Sequence, residues 1–71
     1  MNLRDLKYIV AVAETKSFVK AAEQCFVSQP TLSMQIKKLE NSLNIKIFER
    51  NNKHVLVTEI GKQVIETAKR I

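Results

Sequence analysis

Along this chain, apolar residues recur first at helical spacing and then at strand spacing, and the change of period marks out its elements. The sharpest stripe is Leu32, Ile36, Leu39 and Leu43, whose spacings of four, three and four hold them on one side of a helix turning about 100° per residue. Ser28 stands where its side chain can accept from the unpaired backbone N–H groups of the first turn, and Pro30 falls in that same turn, where a missing N–H is tolerated. On the opposite side lie Pro30, Ser33, Met34, Lys37 and Asn41, flanked by Thr31 and Lys38. A face that starts small and polar and turns basic suits a groove of DNA, although it also describes an ordinary solvated helix surface.

Upstream, Asn2 can cap a first helix over Leu3 to Glu14, with Asp5 three residues on completing a short capping box. Its inner face is expected to be Leu3, Leu6, Ile9, Val10 and Ala13, with Tyr8 and Val12 widening the apolar surface towards a second neighbour. Thr15-Lys16 breaks the pattern. Ser17 caps a second helix in which Phe18, Ala21, Ala22 and Cys25 recur at helical spacing, and the two alanines allow close approach. Only Phe26-Val27 separates this helix from the next, the outline of a helix-turn-helix without the usual turn glycine. Asn44 can take the left-handed backbone that ends the third helix.

After Asn44 the period shortens. Strands are expected near Ile47 to Arg50 and Val55 to Val57, joined by the polar Asn51-Asn52-Lys53-His54, with Phe48 packed under the helices. Thr58 caps a last helix whose apolar stripe reads Ile60, Val64, Ala68, Ile71. The fold class is therefore mainly α: a winged helix-turn-helix, with a three-helix core, a two-stranded wing and a further C-terminal helix. Residues 1–58 are expected to form the winged domain, and residues 59–71 to begin a helix that continues into a longer protein, since its apolar stripe is still running at Ile71.

A 71-residue chain can bury only one modest core. Its net charge of +5 is uneven: Arg4, Lys7, Lys16 and Lys20 nearly balance Asp5, Glu14 and Glu23, so the excess lies in and after the third helix. Lys37, Lys38, Lys46, Arg50 and Lys53 are candidates to neutralise phosphates, with a Glu49–Arg50 ion pair as the rival role for Arg50. One cysteine, Cys25, cannot form an intrachain disulfide or, with the lone His54, a zinc site, so an intracellular protein without a cofactor is expected. No apolar run reaches the roughly 20 residues of a membrane span. An enzyme is the rival class, but no acidic residue is placed by sequence to orient His54, and so small a helical chain leaves little room for a pocket. A second rival is a helical protein-interaction module using the Ile60 to Ile71 stripe.

These residues resemble the N-terminal DNA-binding domain of LysR-type bacterial transcription regulators. The resemblance spans the chain and rests on Leu3 and Leu6 with Phe18, Ala21-Ala22, Val27-Ser28-Gln29-Pro30-Thr31-Leu32-Ser33, Gln35-Ile36, Leu39-Glu40, Leu43, Phe48-Glu49-Arg50, and Thr58 with Gly61. Asn2-Leu3-Arg4-Asp5-Leu6, Cys25 and the Ser28–Ser33 run are similar to the peroxide-responsive members in particular. The resemblance implies that the third helix enters the major groove through Gln29, Pro30, Thr31, Ser33 and Met34. It further implies that Arg50 and Lys53 contact DNA around the wing, and that the fourth helix is a C-terminal dimerisation linker helix; the outer part of its apolar stripe, Val64, Ala68 and Ile71, is then expected to pair in a homodimer or dimer of dimers. It also implies double-stranded promoter DNA as partner, a cytoplasmic location, and an effector domain elsewhere in the full-length protein. Two positions depart from the family pattern: Met34 stands where many members are polar or basic, and Asn44 replaces a common glycine.

Overall fold

The computed structural model describes residues 2–50 and 54–71. Four helices and one hairpin follow in the expected order: α1 (Leu3–Thr15), α2 (Phe18–Gln24), α3 (Gln29–Leu43), β1 (Phe48–Arg50), β2 (Val55–Val57) and α4 (Glu59–Lys69). Local chemistry begins every helix. Asn2, Ser17, Ser28 and Thr58 each sit in extended backbone and accept, through the side-chain oxygen, from the N–H three residues on.

The ends of the first three helices are followed by residues in the left-handed region. Lys16, Phe26 and Asn44 have φ of 54°, 58° and 55°. Asn44 ends α3 as expected, and the next amide, Ile45 N–H, reaches back 3.1 Å to the Glu40 carbonyl. Phe26 supplies the turn between α2 and α3 that a glycine would usually supply: Val27 N–H closes onto the Ala22 carbonyl at 3.1 Å. Its ring is left 94% exposed.

Helix α1 is central, packing against α2, α3 and α4. That position changes its inner face from the one expected. Leu6, Tyr8, Ile9, Ala11 and Val12 are buried, Val10 and Ala13 pack at the margin, and Leu3 is exposed. A helix with neighbours on three sides buries a broad arc rather than a stripe. In α2, Phe18, Ala21 and Ala22 are buried, and Cys25 caps the C-terminus half-buried. In α3 the stripe is Leu32, Ile36 and Leu39, while Leu43 emerges at its end.

The wing pairs antiparallel, Phe48 with Val57, Glu49 with Leu56 and Arg50 with Val55. It is tied to the helices by polar contacts as well as by Phe48. The Glu40 carboxylate accepts from the Ile47 and Phe48 amides at 2.8 and 3.1 Å, pinning the start of β1 to α3. On the other side, Thr58 N–H donates to the Ile47 carbonyl at 2.9 Å. Gly61 allows this closeness, because a Cβ there would stand 2.5 Å from the Ile47 carbonyl oxygen.

Helix α4 requires a correction. Gly61, Ile65 and Ala68 form its inward side, whereas Ile60 is largely exposed, Val64 half-buried and Ile71 exposed beyond the helix end. Ala68, expected to reach past the domain towards a partner, is 8% exposed and belongs to the domain's own core. The stripe Ile60-Val64 and the stripe Gly61-Ile65 have the same spacing one residue apart, and contact with α1 and Ile47 selects the second. Among the described residues, no helix is long and apolar enough to cross a membrane.

Candidate nucleic-acid interface

The outward side of α3 carries the residues expected to read DNA. Pro30, Thr31, Met34, Lys37, Lys38 and Asn41 are exposed, and Gln29 and Ser33 are half-buried. Two short hydrogen-bonded sets organise the helix start. Ser28 accepts from Thr31 N–H at 3.2 Å while its hydroxyl donates to Thr31 Oγ1 at 2.8 Å. One turn along, Gln29 Nε2 donates to Ser33 Oγ at 2.9 Å. Their local roles therefore coexist with exposure: Gln29 and Ser33 hold each other in a defined rotamer and still have donor and acceptor capacity to spare.

Between α3 and the wing runs a concavity of about 560 Å³ whose wall includes Ser33, Met34, Lys37, Lys38, Lys46 and Arg50. This brings five of the candidate contacts together with Lys46. Lys37, Lys38, Lys46 and Arg50 outnumber the carboxylates of Glu40 and Glu49 in the lining, and Glu40 is occupied by the wing amides, so the channel attracts anions. Lys53, proposed for the wing tip, lies outside the described residues, as do Asn51 and Asn52 of the polar connection. His54 is exposed immediately before β2.

Arg50 makes a contact that was not considered from sequence alone. Its guanidinium carbon lies 3.8 Å from the centroid of the Phe18 ring, a cation–π contact, rather than against the neighbouring Glu49. Phe18 in turn meets Phe48 edge to face, centroids 5.9 Å apart at 79°. Sequence reading placed Phe18 and Phe48 in the core and left their relation to Arg50 unseen. Strand alternation was the one available signal, since it puts Phe48 and Arg50 on the same side of β1.

Comparison with known proteins agrees with this geometry. The family model described as bacterial regulatory helix-turn-helix protein, lysR family, matches residues 3–62. A hydrogen peroxide-inducible genes activator of Pectobacterium carotovorum is 49% identical over all 71 residues, and this chain spans 24% of that relative's length. Full-length OxyR C199D of Pseudomonas aeruginosa superposes with a TM-score of 0.93 at 46% identity, covering 99% of this chain and 24% of that one. The DNA-binding domain of BenM, solved with its benA site 1 DNA, gives the same TM-score at 43% identity, covering 99% of this chain and 79% of the other. With a winged helix-turn-helix and a basic channel beside the reader helix, this chain belongs to the LysR family of bacterial regulatory helix-turn-helix proteins.

Proposed function

We propose that the chain binds duplex promoter DNA sequence-specifically, as the reading end of a LysR-type transcription regulator of the peroxide-responsive kind. The observation that carries the reading is the outward face of α3, with the ordered Gln29–Ser33 pair at its start and Lys37, Lys38, Lys46 and Arg50 around the adjoining channel. In this arrangement the start of α3 meets base edges in the major groove and the cations meet phosphates on either side. The peroxide-responsive assignment rests on the Pectobacterium and Pseudomonas relatives, and applies to the whole regulator, working in the bacterial cytoplasm with an effector domain.

Self-association belongs to the same proposal. Ile60 and Val64 line a shallow apolar patch with Leu43, Ile45 and Thr67, and Ile71 stands exposed just past the end of α4. A second copy placed there gives a homodimer, or a dimer of dimers, with reader helices about 34–36 Å apart or at multiples of that spacing.

Titration of fluorescent duplexes across salt concentrations tests the reading. Four phosphate-facing cations give a plot of log K against log salt with a slope of about −3 to −4 per chain. A promoter duplex with the family's two-fold symmetry should bind more tightly than a scrambled one. A flat, weak response to both duplexes would favour the alternative, a helical interaction module that binds protein alone.

A further inference from the structure

We propose that Phe18 is a positioning residue for DNA binding: its ring serves as a platform that holds the Arg50 guanidinium at the rim of the channel, ready for phosphate. This inference rests on the reading of Arg50 as a phosphate contact. Phe18 is the first residue of α2, directly after the Ser17 cap, and is 7% exposed, so its ring is fixed by the core. Arg50 ends the three-residue strand β1 and is itself exposed. An exposed arginine at a short strand's end ordinarily samples many rotamers, and binding a phosphate would have to freeze them. Here the guanidinium carbon is already 3.8 Å from the ring centroid.

The two demands on the guanidinium do not compete. A ring attracts the cation through its flat face, whereas all five N–H donors lie in the guanidinium plane and point outward from its edge. Stacking therefore occupies the face and leaves the edge for a bidentate phosphate contact. The lining of the channel includes both Phe18 and Arg50, together with Lys37 and Lys46, which puts the platform inside the proposed interface rather than behind it. Phe48 braces it from β1, two residues before Arg50 and on the same side of the strand.

A double-variant cycle on the 71-residue chain tests the assignment, with promoter-duplex affinity as the readout. Arg50→Ala should weaken binding and make the salt slope shallower by about 0.9, the loss of one phosphate contact. Phe18→Leu, which keeps the position apolar, should weaken binding about two- to fivefold, the scale of an exposed cation–π contact. In the Arg50→Ala background, Phe18→Leu should have no further effect on affinity, and Phe18→Tyr alone should restore it by restoring the ring. A purely structural Phe18 would give losses that multiply, and that result overturns the proposal. If Arg50→Ala leaves affinity and slope unchanged, the reading of Arg50 fails and the platform with it, while the salt slope of the unaltered chain still tests DNA binding as such. Should Phe18→Leu not fold, relaxation of the Arg50 Nε–Hε group in the unaltered, DNA-free chain decides. An order parameter above about 0.6 is expected of a held side chain, and a value below it overturns the platform.

Discussion

Helices α3 and α4 start alike and end differently. Both are capped by a hydroxyl, Ser28 on Thr31 N–H and Thr58 on Gly61 N–H, and both bury one side against the same small core. On α3 the apolar residues Leu32, Ile36 and Leu39 are used up inside, so what remains outside is polar or charged apart from Pro30, Met34 and the terminal Leu43. On α4 the inward side is Gly61, Ile65 and Ala68, and Ile60 and Val64, with Ile71 just past the helix end, are left partly or wholly uncovered. Uncovered polar and cationic groups complement phosphate and base edges, whereas uncovered aliphatic groups gain only by leaving water against another apolar surface. On the proposed reading the contrast divides the labour, with α3 towards nucleic acid and α4 towards a second copy.

Truncation should break the two helices unequally. Leu32 is fully buried, so Leu32→Ala is expected to cost about 2–5 kcal/mol, enough to unfold much of so small a domain, as read by urea denaturation. Ile60→Ala, at a largely exposed position, should change monomer stability by about 1 kcal/mol or less. Ile60→Glu with Ile71→Glu should instead lower self-association in sedimentation experiments while helicity is kept. Unchanged association would remove the outward side of α4 from the interface.

On DNA the order of importance reverses, and two residues of α3 should separate from each other. Gln29→Ala is expected to cost about 1–3 kcal/mol on the preferred duplex and relax discrimination at one base pair. Ser33 would also lose the partner that orders it, since Gln29 Nε2 donates to its hydroxyl. Lys37→Ala should weaken specific and scrambled duplexes equally and make the salt slope shallower by about 0.9. Equal losses for Gln29→Ala on both duplexes would make Gln29 a positional contact and leave base reading to its neighbours.

How well each helix could be read from sequence follows from the range of the forces that fix it. The four caps and Asn44 are local hydrogen-bond chemistry within a few residues, and each stands where its residue type placed it. The α3 stripe was equally legible because its polar side leaves one choice of inward face. On α4 two faces one residue apart both carry apolar groups, and Gly61, blank in any hydrophobic pattern, marks the true one by its approach to Ile47. An isolated glycine within a helix was the available sign of close packing. The Arg50–Phe18 stack joins residues far apart in the chain, and the Glu40 clasp crosses from α3 over the intervening turn to β1, so no helical or strand period records either. Phe26 was legible only as a missing glycine. With φ of 58° and an almost fully exposed ring, it bears left-handed strain without packing to offset it. Phe26→Gly should therefore stabilise the domain by about 0.5–1 kcal/mol, part of the relieved strain being offset by the greater freedom of glycine when unfolded. A loss of stability would mean that the ring is covered in solution.

The smallest expected effect concerns Cys25, which borders α4's neighbourhood rather than α3's. It lines a shallow groove with Leu3, Leu6, Val10, Ala68 and Ile71, on the flank of α1 away from the basic channel. Burial pushes its thiol above the ordinary range, and the nearby Lys7 ammonium offsets this only in part. The folded chain thus prefers the neutral thiol, while the unfolded chain ionises first as pH rises. The associated stability is fully present below the ordinary thiol pKa and is lost as pH climbs through that value towards the folded one. A reactive cysteine needs the opposite shift, because the thiolate is the nucleophile. Cys25→Ala is accordingly expected to cost about 1 kcal/mol or less near neutral pH, to leave DNA affinity unchanged, and to abolish this alkaline loss of stability. Peroxide should not alter DNA binding by the chain. Thiol labelling beside DNA titrations checks the set: rapid labelling of the native chain, together with peroxide-dependent binding that Cys25→Ala removes, would place a redox switch in this domain. Slow labelling that slows further as the chain self-associates would instead extend the dimer contact from the outward side of α4 to the groove beside Ile71.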